Sequence, residues 1–336
     1  MPVRLKDIAT DLGVSVVTVS KVLRNHSDIS EETRNRVLQR MKELNYRPNL
    51  AARALVTGKS HMIGFVVPDL LHPFFAEVAK GLTKVLREHG YCLVIASSEE
   101  DAELERQEIE QLLSRRVDAL VVASTQSELG SFEYAEANNT PYVLIDRFLE
   151  ALQANFIGVD DEKAGYIATQ HLIQQGCRKI GHIRGPQGST ARGREAGYRK
   201  ALAEAGLPER IVESASTDAD AEQGGYKVMR KLIEGKDRPD GVFCFNDPNA
   251  IGGLKALFEA GISVPDEIAV IGVGNLSYAD LLRVPLSSVD QDSAALGEEA
   301  ARMALKLIDS KVKLRPQKVL LEPRLVVRAS SMRKSK

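Results

Sequence analysis

The feature that most constrains the fold is a series of seven apolar, β-rich runs separated by amphipathic, helix-type segments. The runs are MIGFVVPD (62–69), CLVIASS (92–98), ALVVAST (119–125), YVLIDR (142–147), KIGHIRGP (179–186), GVFCFND (241–247) and IAVIGVGN (268–275). Continuous apolar strands that alternate with helices are typical of parallel sheets covered by helices on both faces. Because several such units lie on each side of about Asp160, the pattern predicts an α/β fold with two similar, doubly wound subdomains.

The first 60 residues follow a different pattern, that of short helices. An apolar stripe at helical spacing is formed by Leu5, Ile8, Ala9 and Leu12. Gly13 follows as a stop, and Ser15 is a suitable N-cap for a second helix that runs through Leu23. The second helix is expected to turn Val19, Val22 and Leu23 inward and to leave Val16, Val17 and Lys21 on another side.

A third helix is predicted to begin after Ser30, which can cap it, with Glu31 and Glu32 favourably placed in its first turn. Its expected inward stripe consists of Val37, Leu38, Met41 and Leu44. Three short helices with a tight turn between the first two are typical of a helix-turn-helix, whose second helix enters the major groove of DNA. A small helical cap or a dimerisation lobe would produce the same pattern.

Charge separates the same two regions. Residues 1–60 contain 11 Lys and Arg but only 6 Asp and Glu, whereas the whole chain of 336 residues has a net charge of −1. A small basic head on an acidic body suits binding to phosphate, because each cation near a duplex releases condensed counterions. The 43% apolar and 27% charged content excludes disordered, collagen-like and coiled-coil chains.

The cysteines and the N-terminus indicate a cytoplasmic protein. Cys92, Cys177 and Cys244 are odd in number and far apart, which fits buried free thiols and neither a disulfide framework nor a zinc site. No apolar run is long enough to span a bilayer, and the N-terminal residues lack the apolar centre of a secretory signal. We therefore expect neither membrane association nor a cofactor.

Signatures of catalysis are missing from the sequence. It contains no G-x-x-x-x-G-K-[ST], G-x-G-x-x-G, H-E-x-x-H or G-x-S-x-G motif. The six histidines have no ligand spacing, and only His72 is expected to approach a cleft. An enzyme is therefore not predicted.

The N-terminal residues resemble a known family. LKDIATDLGVSVVTVSKVLRN (5–25) and ISEETRNRVLQRMKELNYRPNLAARAL (29–55), which includes Tyr46-Arg47-Pro48-Asn49, are similar to the DNA-binding head of the lactose-repressor/galactose-repressor regulators. The resemblance implies a helix-turn-helix domain at 1–47, a hinge helix and linker at 48–60, and an effector-binding and dimerisation domain at 61–336. The last is expected to be a periplasmic-binding-protein-like clamshell, with an N-subdomain at about 61–159 and 291–320 and a C-subdomain at about 160–290 and 321–330. The chain would cross between the subdomains near Val159, near Gln291 and within LLEPRL (320–325).

The resemblance also implies a DNA interface. Base reading falls to Val16, Val17 and Lys21, since lysine can donate to guanine and valine can touch thymine methyl groups. Residues suited to phosphate contacts, or to a plain capping or solvated role, are Ser15, Thr18, Ser20 and Asn25. The interface further includes Leu5, Asn49, Ala52, Arg53 and Leu55. The segment 49–56 is expected to form a hinge helix that orders when two copies pair in the minor groove, with Leu55 either as an intercalating wedge or as ordinary core.

Polar residues at the ends of the apolar runs predict a ligand site, since ligands of open parallel sheets bind beyond the carboxyl ends of the strands. These residues are Asp69, Ser97, Thr125, Asp146, Arg147, Asn246 and Asn275. The resemblance adds Arg194 and Gln291 on facing walls. The segment LHPFF (71–75) contributes His72, expected to approach the cleft, and Phe74 or Phe75 as an apolar face. Asp146, Arg194 and Asn246 would hydrogen-bond a polar ligand, although each could instead cap a helix or form a structural pair.

One departure from the family concerns the effector. Sugar-binding members usually end the late strand with Asp, whereas this chain has Asn275, and the acidic stretch from Thr217 to Glu222 replaces an aromatic stacking residue. A sugar or sugar derivative is favoured. A purine, an amino compound or a phosphorylated metabolite stays open, and Asp218 and Asp220 would suit a cationic group.

The predicted function is that of a transcriptional regulator, expected to be a repressor, that binds a pseudo-palindromic operator as a homodimer under control of a small polar effector. By the resemblance to the family, the dimer surface is expected to include the helix 248–260 and the segment 278–282. The tail after Arg328 has no leucine heptad, so a coiled-coil tetramer is not expected. A solute-binding protein of the same clamshell fold and a doubly wound enzyme are the alternatives.

Overall fold

The computed structural model describes residues 3–23, 26–46, 54, 58–125, 130–150, 152–214, 220–235 and 237–333. The chain forms two compact units, one of residues 1–60 and one of residues 61–336. We call them the head unit and the core unit.

The head unit contains three helices, α1 (Leu5–Leu12), α2 (Val16–Leu23) and α3 (Glu31–Glu43). Gly13 ends α1 in the left-handed conformation with a φ of 64°, and the Oγ of Ser15 accepts a hydrogen bond of 3.0 Å from the backbone N–H of Thr18. The small core is formed by Ile8, Ala9, Val19, Val22, Val37 and Met41. The predicted helices, stop and cap are therefore confirmed.

One residue of the predicted inward stripe of α3 is not inward. The side chain of Leu38 is 48% exposed, whereas Val37 and Met41 are buried and Leu44 is partly buried against them. Residues 37, 41 and 44 share one helix face, but residue 38 is rotated by about 100° from residue 37. The prediction for Leu38 was wrong because it treated an adjacent apolar residue as part of the same face.

The core unit is built on two six-stranded sheets. Sheet 1 has the order β11-β5-β4-β3-β1-β2 and sheet 2 the order β12-β10-β9-β8-β6-β7. The strands of sheet 1 are β1 (Met62–Val67), β2 (Cys92–Ser97), β3 (Ala119–Val122), β4 (Tyr142–Ile145), β5 (Asn155–Val159) and β11 (Lys318–Leu321). The strands of sheet 2 are β6 (Ile180–Arg184), β7 (Ile211–Glu213), β8 (Gly241–Cys244), β9 (Ala269–Val273), β10 (Ser287–Asp290) and β12 (Arg324–Val326).

Helices cover both faces of each sheet, as predicted for a doubly wound α/β fold. Sheet 1 is covered by α4 (Pro73–Glu88) and α11 (Ser293–Asp309) on one face and by α5 (Ala102–Ser114) and α6 (Gly130–Ala137) on the other. Sheet 2 is covered by α7 (Asp161–Gln174) and α8 (Ser189–Ala205) on one face and by α9 (Ala221–Glu234) and α10 (Asp247–Glu259) on the other. We call sheet 1 with its helices the N-half and sheet 2 with its helices the C-half.

The chain passes between the halves after Val159, after Asp290 and between Leu321 and Arg324. All seven apolar runs form strands, but β5, β7, β10, β11 and β12 are not among them. These five strands are short or partly polar, so their sequences lack a continuous apolar run. One of them, β12, pairs antiparallel with β10, so sheet 2 is not wholly parallel as the sequence pattern had indicated.

Three helix pairs approach so closely that each crossing requires glycine on both helices. A Cβ atom added at any of these glycines would collide with the backbone of the facing helix. The glycine pairs are Gly81 and Gly297 (α4 and α11), Gly165 and Gly197 (α7 and α8), and Gly225 and Gly252 (α9 and α10). Such contact places the helix backbones nearer to each other than ordinary side-chain packing permits.

The cysteines are free thiols, but they are not all buried as predicted. Cys177 and Cys244 are buried, whereas Cys92 is exposed. Cys92 begins β2, which lies at the edge of sheet 1 and has a neighbouring strand on one side only. Burial raises the pKa of the Cys177 thiol to about 11 and also raises that of Cys244, so both stay protonated.

Candidate functional site

A cleft of about 470 Å³ in the core unit is lined by residues of both halves. Nine of the twelve residues predicted for the ligand site line it, namely His72, Phe74, Phe75, Thr125, Asp146, Arg147, Arg194, Asn246 and Gln291. Most of them follow the carboxyl ends of strands, where the peptide chain leaves a parallel sheet. The structure thus brings these side chains together around one space that is large enough for a small metabolite.

The other three predicted residues, Asp69, Ser97 and Asn275, lie outside this lining. The Oγ of Ser97 donates a hydrogen bond of 2.7 Å to Glu99. Asp69 is buried, and its Oδ1 accepts a hydrogen bond of 2.9 Å from the backbone N–H of Leu71. The Oδ1 of Asn275 accepts a hydrogen bond of 2.8 Å from Arg328. All three side chains therefore form hydrogen bonds within the protein, which their position at the end of an apolar run does not reveal.

The wall of the N-half is held by carboxylates. Arg147 donates from both Nη atoms to Glu100, with N–O distances of 2.9 and 2.8 Å, in a bidentate pair that is mostly shielded from solvent. Behind the wall, the fully buried Glu105 accepts hydrogen bonds from Ser124 and Thr125. Planar bidentate pairs of this kind orient a guanidinium strongly.

The wall of the C-half is organised around Arg194. Its Nε donates to Asp161 at 2.9 Å, its Nη1 donates to the carbonyl oxygen of Phe245 at 2.8 Å, and its guanidinium lies 4.7 Å from the centre of the Phe245 ring. The pKa of Asp161 is raised, mainly by burial, although the positive charge of Arg194 acts in the opposite direction. Arg194 is thereby fixed with its cation against an aromatic face.

Asn246 has two structural contacts, one of them the helix cap that the sequence left open as an alternative to ligand binding. Its Oδ1 accepts a hydrogen bond of 2.9 Å from the backbone N–H of Asn249 and so caps α10. Its Nδ2 lies 3.4 Å from the Nε2 of His72, which belongs to the N-half. The side chain therefore caps a helix and also joins the two walls.

Two further contacts join the halves beside the cleft. The backbone N–H of Phe148 donates to the Oγ of Ser189 at 2.8 Å, and Arg192 lies 3.4 Å from Glu150. Phe148 and Glu150 follow β4 of the N-half, while Ser189 and Arg192 lie in the first turn of α8 in the C-half. These contacts set the separation of the walls in this conformation.

Sequence reasoning missed several residues of the site. Glu100, Glu105 and Asp161 are acidic residues in helix-type sequence and look like solvated surface charges. Phe245 was hidden inside the run GVFCFND, although its bulk next to Asn246 could have indicated an apolar floor. The loop Pro186 to Ser189 could have been found from its Gly and Pro content between a strand and a helix.

In the head unit, α2 exposes the side chains that were assigned to base reading. Val16 is 43% and Val17 is 61% exposed, whereas Val19 and Val22 on the opposite side are buried. The Nζ of Lys21 lies 2.5 Å from the Oδ2 of Asp28, and this contact lowers the pKa of Asp28. Ser15 is exposed and Leu5, Thr18 and Ser20 are partly exposed, so the face is accessible.

Part of the predicted interface lies outside the described residues, namely Asn25, Asn49, Ala52, Arg53 and Leu55. The same holds for Thr217 and Asp218, while Asp220 is the N-cap residue of α9. Within the described part of the chain, no helix has the length and apolar character to cross a bilayer. Among the same residues, no cluster of three or more His, Cys, Asp or Glu side chains could hold a metal ion.

Comparison with known proteins covers both units. Residues 4–49 match the family of bacterial regulatory proteins, lacI family, and residues 169–331 match a periplasmic binding protein-like domain. The ribose operon repressor of Halalkalibacterium halodurans is 35% identical over 308 residues, which cover 91% of each chain. The transcriptional repressor PurR of Photobacterium profundum is 33% identical over 330 residues, which cover 97% of this chain and 98% of that one.

Solved structures give the same result. The lac repressor dimer bound to operator and the anti-inducer ONPF matches with a TM-score of 0.85 and 26% identity, over 99% of this chain and 100% of that chain. The complex of the transcriptional regulator CelR with cellobiose matches with a TM-score of 0.74 and 28% identity, over 98% and 99% of the two chains. With a helix-turn-helix head, a two-sheet core and relatives that match along nearly the whole chain, the protein belongs to the lacI family of bacterial regulatory proteins.

Proposed function

We propose that this regulator is a cytoplasmic repressor that binds a pseudo-palindromic operator as a homodimer, and that a small, uncharged, hydroxyl-rich metabolite in the cleft controls this binding. The observation that carries the proposal is the combination of an exposed apolar face on α2 with a polar cleft in the core unit of the same chain. Relatives named as operon repressors, and a relative solved with its operator, support the DNA-binding part.

Exposed valines on α2 favour contact with base edges. Two adjacent valine side chains that face solvent do not contribute to the core of the head unit. They are short enough to let the helix approach thymine methyl groups. Lys21, on the same helix, would exchange its contact with Asp28 for guanine O6 and N7. Two-fold symmetry of a homodimer then predicts two half-sites about one helical turn apart.

The exposed segment near Tyr278 supports a surface for the second copy. Leu281 is 83% and Tyr278 is 39% exposed, whereas most apolar residues of α10 are buried in the C-half. Exposed aromatic and aliphatic side chains of this size favour burial against a partner. The segment 278–282 therefore stays part of the proposed dimer surface, while α10 would contribute through the exposed Lys255 and Glu259.

The DNA-binding part can be tested by selecting sites from a random duplex library with the full-length protein. We expect a palindrome to be enriched, and we expect Lys21→Ala to lose preference at one base pair in each half-site because the donor to guanine is gone. Lys42→Ala, which removes an exposed lysine from the last turn of α3, is the matched control and should select the unaltered palindrome.

Two outcomes would contradict this proposal. An unchanged motif after Lys21→Ala would refute its base-reading role. Duplex affinity that does not fall with salt would exclude phosphate contacts and favour a solute-binding role, since each contact contributes a slope of about −0.9 in log K against log salt.

Charge pairing in the cleft favours an uncharged effector. Each guanidinium in the lining lies within hydrogen-bond or ion-pair distance of a carboxylate, in the pairs Arg147–Glu100, Arg194–Asp161 and Arg192–Glu150. A phosphorylated ligand would have to displace one of these carboxylates and would also face Asp146. Hydroxyl groups can instead bond to the outer edges of the two shielded pairs, Arg147–Glu100 and Arg194–Asp161, without separating their charges.

The effector class can be tested by isothermal titration of the full-length protein with D-ribose, cellobiose and D-ribose 5-phosphate, each followed by an operator-binding assay. We expect a neutral sugar to bind and to change operator affinity, and the phosphate ester to bind at least about tenfold more weakly. Tighter binding of the phosphate ester would contradict the charge argument.

A further inference from the structure

The most informative unassigned group in the core unit is Glu105. It lies in the first turn of α5, its side chain is fully buried, and it does not line the cleft. Its carboxylate nevertheless reaches the end of β3, where Ser124 and Thr125 form part of the cleft wall. A buried carboxylate costs free energy unless hydrogen bonds and nearby cations compensate it, so this arrangement requires a physical reason.

The contacts of Glu105 fix both neighbouring residues. Its Oε1 accepts from the Oγ of Ser124 at 2.7 Å, and its Oε2 accepts from the backbone N–H and the Oγ1 of Thr125 at 2.6 and 2.9 Å. A hydroxyl group has a single proton, and a carboxylate can only accept. The proton of Thr125 is therefore directed away from the cleft, and the Oγ1 can offer a ligand only lone pairs.

Two influences on the ionisation of Glu105 oppose each other, and burial, which raises its pKa above the ordinary value, is the larger. Burial raises the pKa of Glu105, while the hydrogen bonds from Thr125 and Ser124 and the charge of Arg147 lower it. Arg147 is itself held by Glu100 in the bidentate pair of the same wall. Glu105 thus belongs to a connected set of charges that includes a cleft-lining guanidinium.

We propose that Glu105 is a positioning residue that makes the Thr125 hydroxyl group an acceptor-only point of the cleft wall and thereby selects effectors that present a hydrogen-bond donor, such as a hydroxyl group, at this point. The inference rests on the proposed function for the class of ligand. The ionised state of Glu105 and the direction of the Thr125 hydroxyl proton, however, concern the protein alone and can be measured without a ligand. A ligand with an ether oxygen, a fluorine or a carbonyl oxygen at this point would face lone pairs and lose affinity.

The ligand experiment compares D-ribose with its 2-, 3- and 5-deoxyfluoro derivatives, because fluorine matches a hydroxyl group in size but cannot donate. With the unaltered protein we expect one derivative to bind roughly tenfold more weakly than D-ribose. In Glu105→Gln the amide can donate to the Oγ1 of Thr125 and release its proton toward the cleft, so we expect this ratio to fall to about twofold. Glu103→Gln, which changes an exposed residue of the same helix, should keep the tenfold ratio.

Two variants of Thr125 keep the test decisive even if Glu105→Gln does not fold. Thr125→Val removes the hydroxyl group and should abolish the discrimination, whereas Thr125→Ser retains the hydroxyl group and should preserve it. A plain loss of stability would weaken binding of D-ribose and its derivatives equally, so an unchanged ratio in Glu105→Gln and in Thr125→Val would overturn the proposal.

A second measurement needs no ligand. Infrared difference spectra between the unaltered protein and Glu105→Gln, both labelled with ¹³C-glutamate, should show the loss of an ionised carboxylate band at pH 7, with Glu103→Gln as the spectral reference. The carbonyl band of a protonated acid at pH 7 would overturn the proposal. If D-ribose does not bind to the unaltered protein, the sugar part of the proposed function is contradicted, and the infrared result alone decides the role of Glu105.

Discussion

The N-half and the C-half of the core unit share a strand order but differ in how closely their helices cross. In the C-half, the helix pairs on both faces of sheet 2 meet at reciprocal glycines. In the N-half, only the described pair of α4 and α11 does so, and the face covered by α5 and α6 is filled by larger side chains such as Ile109, Leu112 and Phe132. The same topology can thus be packed backbone to backbone or through side chains, and the first kind tolerates less change.

Buried acids distinguish the halves in a second way. In the N-half, Glu105 holds a hydroxyl group that faces the ligand cleft. In the C-half, the equally buried Asp247 accepts from the Oγ of Ser288 at 2.6 Å and from the backbone N–H of Leu276 at 2.9 Å, and burial raises its pKa to about 6. Glu105 therefore orients a side chain that lines the cleft, whereas Asp247 holds the segments around Leu276 and Ser288 together.

The largest effect is expected from a substitution at a glycine crossing of the C-half. A methyl group in Gly197→Ala would collide with the carbonyl oxygen of Glu162 and force α7 and α8 apart, which we expect to lower the free energy of unfolding by about 3 kcal/mol. Urea unfolding followed by circular dichroism measures this change. Gly130→Ala at the start of α6 is the control, because a Cβ atom there has no neighbour within 4 Å among the described residues, and it should change stability by less than about 0.5 kcal/mol. If both variants lowered the free energy of unfolding by the same amount, the close helix crossing would not be what makes Gly197 necessary.

A smaller effect concerns pH and belongs to the C-half alone. His182 is fully buried, stacks on Phe243 with ring centres 4.6 Å apart, and has its pKa lowered to about 4 by burial. The unfolded chain takes up a proton below the ordinary pKa of 6.5, but the folded chain does so only near 4. The contribution of His182 to stability is therefore complete above pH 6.5 and is lost as the pH falls toward 4.

This linkage predicts that stability falls by about 2 kcal/mol between pH 7.5 and pH 5.0 because of His182. The measurement is urea unfolding of the unaltered protein and of His182→Gln at both pH values. The difference in pH dependence between the two proteins gives the contribution of the imidazole alone. Asp161 and Asp247 are present in both proteins, and their raised pKa values increase stability as the pH falls. The same pH dependence in both proteins would show that the effect arises elsewhere.

The smallest effect is expected where the halves meet. Ser189→Ala removes the acceptor for the backbone N–H of Phe148, a contact worth about 1 kcal/mol, and should shift the equilibrium between closed and open forms of the cleft. We expect the affinity for D-ribose, if it binds, to change by about fivefold, with urea stability altered by about 1 kcal/mol or less. Ser114→Ala, at the exposed end of α5, serves as the control. Unchanged affinity in Ser189→Ala would mean that the contact does not contribute to closure.

Much of the architecture could be predicted because it depends on local patterns. The strands β1 and β3 are apolar at nearly every position, since both of their faces are buried, and the stop at Gly13 with the cap at Ser15 depends on neighbouring residues only. The strands β10 and β12 could not be predicted in this way, because their short sequences become strands only when a neighbouring strand supplies hydrogen bonds.

The candidate site was predictable where it depends on strand ends. Thr125, Asp146 and Asn246 follow apolar runs, and the topology of a parallel sheet brings such residues to the carboxyl edge of their own sheet, which here borders the cleft. Asp69 and Asn275 have the same position in sequence but bond to the protein's own chain. Glu105 could not be found at all, since a helix that begins AELERQE shows no sign of which carboxylate will be buried.

By itself, the sequence determined the α/β class, the helix-turn-helix head and the family, because hydrophobic periodicity, caps and contiguous motifs are properties of neighbouring residues. Only the tertiary structure decided which charges pair across the cleft, which acid lies behind Thr125 and which glycines let two helices touch. The physical reason is that each of these features depends on the distance between residues far apart in the chain, such as Gly165 and Gly197 or Glu105 and Thr125, and this distance exists only after the sheets and helices have packed.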